Sequence, residues 1–343
     1  MYTPAKFAVV AGLVVLLSAC GQSGTGIMPS TAAQSLAPAQ RAQSSTTRRA
    51  PSSEAQQAGV EAGYVYMPLA GRQQATGDLT GSVVWGGGPV QQTPTIYVIY
   101  WGLTAKNCAV TPGKTQACDP DNIRPTQESF LQNVGGSAWQ STVTQYYDSH
   151  GDIASPTQQF VTAGKAGKEC NGAPSHCILD ASLPPMSPTD HQVQVEAEKL
   201  VALYGANPNA AYIVQTPYGH NESGFGTSWC AYHSAFSDNG VYIAYAYMPY
   251  MPEAPSSCGA NYVNPGAKGL LDGVTIVGGH ELAETQTDPK PDSGWDGSGG
   301  EIGDLCAWKD LSNEHFGNNT TFPVQPLWSD VAGACSLTGP NGP

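Results

Sequence analysis

Gly273-Val274-Thr275-Ile276-Val277-Gly278-Gly279-His280-Glu281-Leu282-Ala283-Glu284 is the stretch on which the reading of this chain turns. Its first seven residues are apolar and Gly-rich, which predicts the opening turns of a buried helix. On a helix, positions i and i+4 share a face, so His280 and Glu284 would project side by side with Glu281 one step round. An imidazole and a carboxylate at that spacing suit two ligands of one metal ion.

The stretch differs from the His-Glu-x-x-His pattern of zinc hydrolases in one place, where Glu284 stands for the second imidazole. Zinc accepts oxygen as well as nitrogen, so the exchange is compatible with a site, and Glu281 keeps the general-base position. Downstream, Gly300-Glu301-Ile302-Gly303-Asp304-Leu305-Cys306 brings two more carboxylates, of which Glu301 or Asp304 reads as the third ligand. The plainer reading of the same residues is a solvated helix face carrying ordinary carboxylates. His233, His220 and Tyr232 are candidates for a donor that polarises a carbonyl, and His233 is the better placed of the two histidines. His220 in its Gly-rich loop reads equally well as an ordinary loop residue. Asp288, Asp292, Asp296, Glu301 and Asp304 form an acidic run punctuated by Gly, Pro and Ser. Zinc is the expected cofactor, with calcium on that acidic loop, or a purely structural metal, as the alternative.

The N-terminus addresses the chain. Lys6 supplies a positive charge, Phe7 to Leu17 form an apolar stretch too short to span a bilayer, and Leu17-Ser18-Ala19-Cys20 resembles a bacterial lipobox. Residues 1–20 are therefore expected to be a lipoprotein signal peptide with Cys20 lipidated. By the same resemblance, Gly21 favours the outer membrane, and the membrane is a partner through that lipid alone. An ordinary signal peptide cut near Ala19 would export the same domain. Residues 21–76 are rich in Ser, Gly, Ala, Gln and Pro and read as a disordered tether.

Nine cysteines stand in the chain, and setting Cys20 aside leaves eight, an even number suited to an oxidising compartment. Their bunching suggests Cys108–Cys118, Cys170–Cys177, Cys230–Cys258 and Cys306–Cys335. No Cys-x-x-Cys pair is present, which disfavours a zinc–cysteine site. A net charge of −13 with only 14 Lys and Arg disfavours nucleic acid as a partner.

Residues 77–343 are long enough for one substantial core. Thr95 to Trp101, Ala211 to Gln215 and Val241 to Tyr247 read as strands, the first of them central. Thr126 to Tyr147 carries a helical pattern interrupted at Gly135-Gly136, and Val193 to Tyr204 an amphipathic helix. The expected fold is α/β or α+β: a single domain with a mixed sheet, a metal-binding helix and long disulfide-stapled loops. Strands, then the metal-binding helix, then a looped segment with the last ligand is, by analogy, a zincin-like layout.

Val277 to Pro289, followed by Glu301-Ile302-Gly303-Asp304-Leu305-Cys306, resembles the EXORDIUM or phosphate-induced protein family, and Cys230-Ala231-Tyr232-His233 resembles that family's earlier Cys-x-x-His element. The likeness runs from about Tyr97 onward and leaves out the lipobox and tether. It implies an extracytoplasmic, cell-wall-associated protein and supplies no settled reaction. Two functions are therefore expected to compete. One is a zinc-dependent, peptidase-like hydrolase acting on peptide or cell-wall substrate at the cell surface or in the periplasm. The other is a non-enzymatic, metal-stabilised binding protein, for which Trp85, Trp101, Trp295, Trp308 and Trp328 could stack on sugars, although most aromatics in such a chain are core. A serine hydrolase is disfavoured, because no Gly-x-Ser-x-Gly surrounds Ser223.

Overall fold

Extended runs rich in β-branched and aromatic residues build a seven-stranded mixed sheet, with helices on both of its faces. The computed structural model describes residues 60–61, 63–70, 82–103, 105–106, 118–162, 170–317 and 320–340. The expected signal peptide, the lipobox with Cys20, most of the tether and Cys108 lie outside the described residues.

The sheet strands are β1 (Val60–Glu61), β2 (Tyr64–Pro68), β3 (Thr95–Trp101), β4 (Cys177–Asp180), β5 (Ala210–Gln215), β6 (Trp229–Asp238) and β7 (Val241–Met248). In space they run β1-β2-β6-β7-β5-β3-β4. Strands β7, β5, β3 and β4 are mutually parallel, whereas β6 is antiparallel to both β7 and β2. Helix α1 spans Ile123–Val134, α2 Asp190–Tyr204 and α3 Asp272–Thr287. Alternation along the strands divides their side chains. Ile96, Val98 and Tyr100 of β3 join the core shared with α1 and α3, while Ile99 and Trp101 join the core shared with α2.

Every residue of α3 is buried, as a helix apolar all round its first turns must be. Small residues let it approach the sheet. Ala211, Ala231 and Ala246 face the same core, Gly278 lies against Met248, and Gly279 sits under Trp139 and Phe130. Its Thr275 hydroxyl donates to the carbonyl of Pro323 in a hairpin of Ser312–Phe316 and Thr320–Val324, which covers its outer side.

The structure follows the expected helical interruption and departs from expectation in one place. The helical pattern of 126–147 is interrupted at Gly135-Gly136 as the sequence suggests: α1 ends at Val134, Gly136 takes a φ of 73°, and a 3-10 turn follows at Gln140–Gln145. A left-handed backbone at Gly136 cannot continue an α-helix. Residues 60–61 and 64–68, inside the stretch read as tether, are strands, with Val65 and Met67 buried in alternation with half-buried neighbours. The low-complexity sequence around Tyr64-Val65-Tyr66-Met67 masks an alternation that is too short to stand out by itself.

Disulfides Cys170–Cys177, Cys230–Cys258 and Cys306–Cys335 are formed, each closing a local loop as the bunching predicts.

Candidate metal centre

Helix α3 presents His280 and Glu284 on one face, with the His280 Nε2 3.1 Å from Glu284 Oε2. Sequence spacing alone accounts for that pairing. The other residues come from distant segments. Asp304 opens a single 3-10 turn, Asp304–Cys306, tied down at its last residue by the Cys306–Cys335 disulfide, and its Oδ1 lies 3.6 Å from His280 Nε2. His233 comes from β6, three residues after the disulfide-bonded Cys230, and its strand neighbours are Ala246 and Val65. Strand alternation turns His233 toward α3, where its Nδ1 lies 3.4 Å from Glu281 Oε2 and 3.7 Å from Glu284 Oε2. Its Nε2 faces Glu301 Oε1 at 3.6 Å.

Two ligand triplets result, one of His280, Glu284 and Asp304 and one of His233, Glu284 and Glu301, each with its donor atoms within 4.8 Å of one another. Glu284 belongs to both. Its Oε1 accepts hydrogen bonds from the backbone N–H groups of Gly303 and Asp304 at 3.1 and 3.0 Å, leaving Oε2 directed at the imidazoles. Gly303 fits against the pair because it has no side chain; a Cβ there would sit 2.8 Å from both Glu284 Oε1 and His280 Nδ1.

The chemistry of these donors fits a divalent cation. None of the six residues His233, His280, Glu281, Glu284, Glu301 and Asp304 is more than 2% exposed. Yet His233 Nε2, both ring nitrogens of His280, Glu281 Oε1, Glu284 Oε2, both oxygens of Glu301 and Asp304 Oδ1 have no hydrogen-bond partner. Orphaned buried polar atoms are costly and rare, and those that belong to the two triplets are what an ion would satisfy.

Electrostatics bear the same mark. Burial drives Glu301 well above the usual carboxylate range, and Asp288, Glu284 and Asp304 add to it. Asp304 is raised in the same way by burial and then by Glu284. Burial, partly offset by His233, lifts Glu281 to about 8. Burial pulls His280 down, but Glu284 and Asp304 outweigh it and hold the imidazole above its ordinary value. Burial raises Glu284, but His280 and His233 outweigh it and keep its carboxyl below the ordinary range.

Other candidates fall elsewhere. Tyr232 precedes His233 on β6 and so points to the opposite face, where its hydroxyl meets Asp190 and Glu222. His220 is buried against the carbonyl of Pro185. Asp288, Asp292 and Asp296 do not converge as a ligand group among the described residues. Asp288 instead accepts backbone N–H bonds from Ser293 and Gly294, and Asp292 is exposed. Trp101, Trp295 and Trp328 are buried in the core, and Trp85 and Trp308 pack against it, so these indoles do not form a sugar platform. A third cluster, Glu128 with Cys170 and Cys177, holds no thiolate to offer because those sulfurs are bonded to each other. Gln325, which sequence reasoning missed, donates to the carbonyl of Gly303 at 2.8 Å and helps raise His280. Nothing local to Gln325 signals that role, since the hairpin brings it to the site.

The chain matches no protein-family model, no curated protein and no solved structure.

Proposed function

We propose that the chain is an exported, lipid-anchored hydrolase of peptide or amide bonds that depends on a divalent metal, zinc in the first instance. The observation that carries this reading is the buried triplet of His280, Glu284 and Asp304 with a further carboxylate, Glu281, beside it on the same helix. The order of strands, helix and ligand-bearing loop supports a zincin-like fold, and the Cys-x-x-His and His-Glu-x-x-Glu elements are those on which the EXORDIUM likeness rests. An ion held by His280, Glu284 and Asp304 would polarise a carbonyl and lower the pKa of a water. Glu281 would take the proton of that water and deliver it to the leaving amine. His233, 3.4 Å from Glu281 Oε2, orients that carboxylate.

The burial of all six residues favours a second reading, in which the metal is a structural staple of a binding protein. Glu281 separates the two, because it belongs to neither ligand triplet. Glu281→Gln should keep fold and metal while losing cleavage of a mixed peptide library by about two to four orders of magnitude. His280→Ala should lose the metal as well. Zinc-loaded wild-type protein that cleaves nothing would leave the binding reading standing, and protein that takes up no stoichiometric metal would remove both.

A further inference from the structure

We propose that this centre takes two divalent cations, the second held by His233 and Glu301, with Glu284 common to both. The inference rests on the reading of His280, Glu284 and Asp304 as a metal centre. From the sequence, Glu301 and Asp304 compete for one ligand position. In the structure each has its own imidazole at 3.6 Å, Asp304 facing His280 and Glu301 facing His233.

Two observations favour a second ion over a second-sphere role for His233 and Glu301. First, one ion at His280 leaves His233 Nε2 and both Glu301 oxygens buried and without hydrogen bonds. Second, His233 is disposed as a ligating histidine is: its Nε2 faces Glu301, and its Nδ1 is 3.4 Å from Glu281, a carboxylate that can accept the other ring proton. Two-metal centres commonly share a carboxylate, and Glu284, with one oxygen fixed by backbone N–H groups, leaves the other free for that part.

The test is the amount of metal bound. Wild-type protein, Glu301→Gln and Asp304→Asn are each dialysed against zinc, returned to metal-free buffer and assayed by elemental analysis, with circular dichroism as the check on folding. Two equivalents per chain are expected for the wild type and one for each variant. In parallel, manganese-loaded wild type should give the electron-paramagnetic-resonance signature of a spin-coupled pair, which needs no variant to fold. A single equivalent with an isolated-ion spectrum overturns the second site and leaves the hydrolase reading intact. No bound metal removes the hydrolase reading as well. Two equivalents retained by Glu301→Gln would show that the second ion lies elsewhere and overturn this assignment.

Discussion

Gly303 bears directly on the ligands around it. A Cβ at this position would stand 2.8 Å from Glu284 Oε1 and 2.8 Å from His280 Nδ1, and both residues sit on a helix buried on every side. Neither side chain has room to retreat, so Gly303→Ala should lower zinc affinity by about ten- to a hundredfold, the usual effect of disturbing the groups that orient metal ligands. Competition with a chromogenic chelator measures this; unchanged affinity would mean that Gly303 does not brace the ligands. At this scale the sequence was informative wherever spacing along one helix sets the geometry, as for His280, Glu281 and Glu284. It could not apportion Glu301 and Asp304, because that depends on which imidazole each meets after the loop folds. Tyr232 and His233 were both candidates as neighbours. Only the direction of β6 separates them, since adjacent strand residues point to opposite faces.

Among the elements, β2 borders the site. It adds as an antiparallel strand to β6, setting Val65 opposite His233 and Met67 opposite Ala231. The Met67 N–H approaches Glu281 closely enough to lower its pKa against the effect of burial. Pro68 accepts a hydrogen bond from the Trp308 indole at 2.6 Å, and Gly63 accepts one from Ser234 at 2.7 Å. These bonds hold β2 over the edge of the strand that carries His233. Protein beginning at Ala70 should therefore surrender its metal to a chelator at least tenfold faster, with little change in far-ultraviolet circular dichroism. An unchanged rate would mean that some other element closes the site. Strands β3, β5 and β7 were legible from their β-branched and aromatic runs, whereas β6 was not. Its inward residues include Ala231 and His233, a small and a polar residue, so the alternation of bulky apolar side chains that marks a strand is lost where the site needs room. Helix α3 was legible because its burial is written in apolar residues, and the break in the earlier helical pattern because Gly135-Gly136 interrupts it, although the 3-10 turn that follows was not.

For the whole molecule, the sheet separates two polar assemblies, and the one opposite the metal centre gives the fold a pH dependence of its own. There the hydroxyls of Tyr64, Tyr232 and Tyr245 converge on Asp190 at 2.8, 3.0 and 2.5 Å, joining the first turn of α2 to strands β2, β6 and β7. Tyr232 also lies 2.9 Å from Glu222 Oε2. A phenol has one proton, so it cannot donate to Asp190 and Glu222 together; a protonated Glu222 can instead donate to the Tyr232 oxygen. Burial raises Glu222 from 4.5 to about 7, against the lowering effect of the Tyr232 hydroxyl bond and with the charge of Asp190 adding to the rise. The folded chain then binds this proton more tightly than the unfolded chain. The contribution is complete below the unfolded value of 4.5 and is lost as pH rises through about 7. Glu222→Gln keeps a donor beside Tyr232 and removes the titration. Thermal unfolding of metal-loaded protein between about pH 4.5 and pH 8 should show wild-type stability falling more steeply than that of Glu222→Gln, with the difference developing between about pH 4.5 and pH 7 and levelling off above it. Glu222 lies across the sheet from the metal centre and outside both ligand triplets, so metal content should be equal in the two proteins. Parallel pH profiles would place the Glu222 proton in the unfolded chain as firmly as in the folded one and overturn this account.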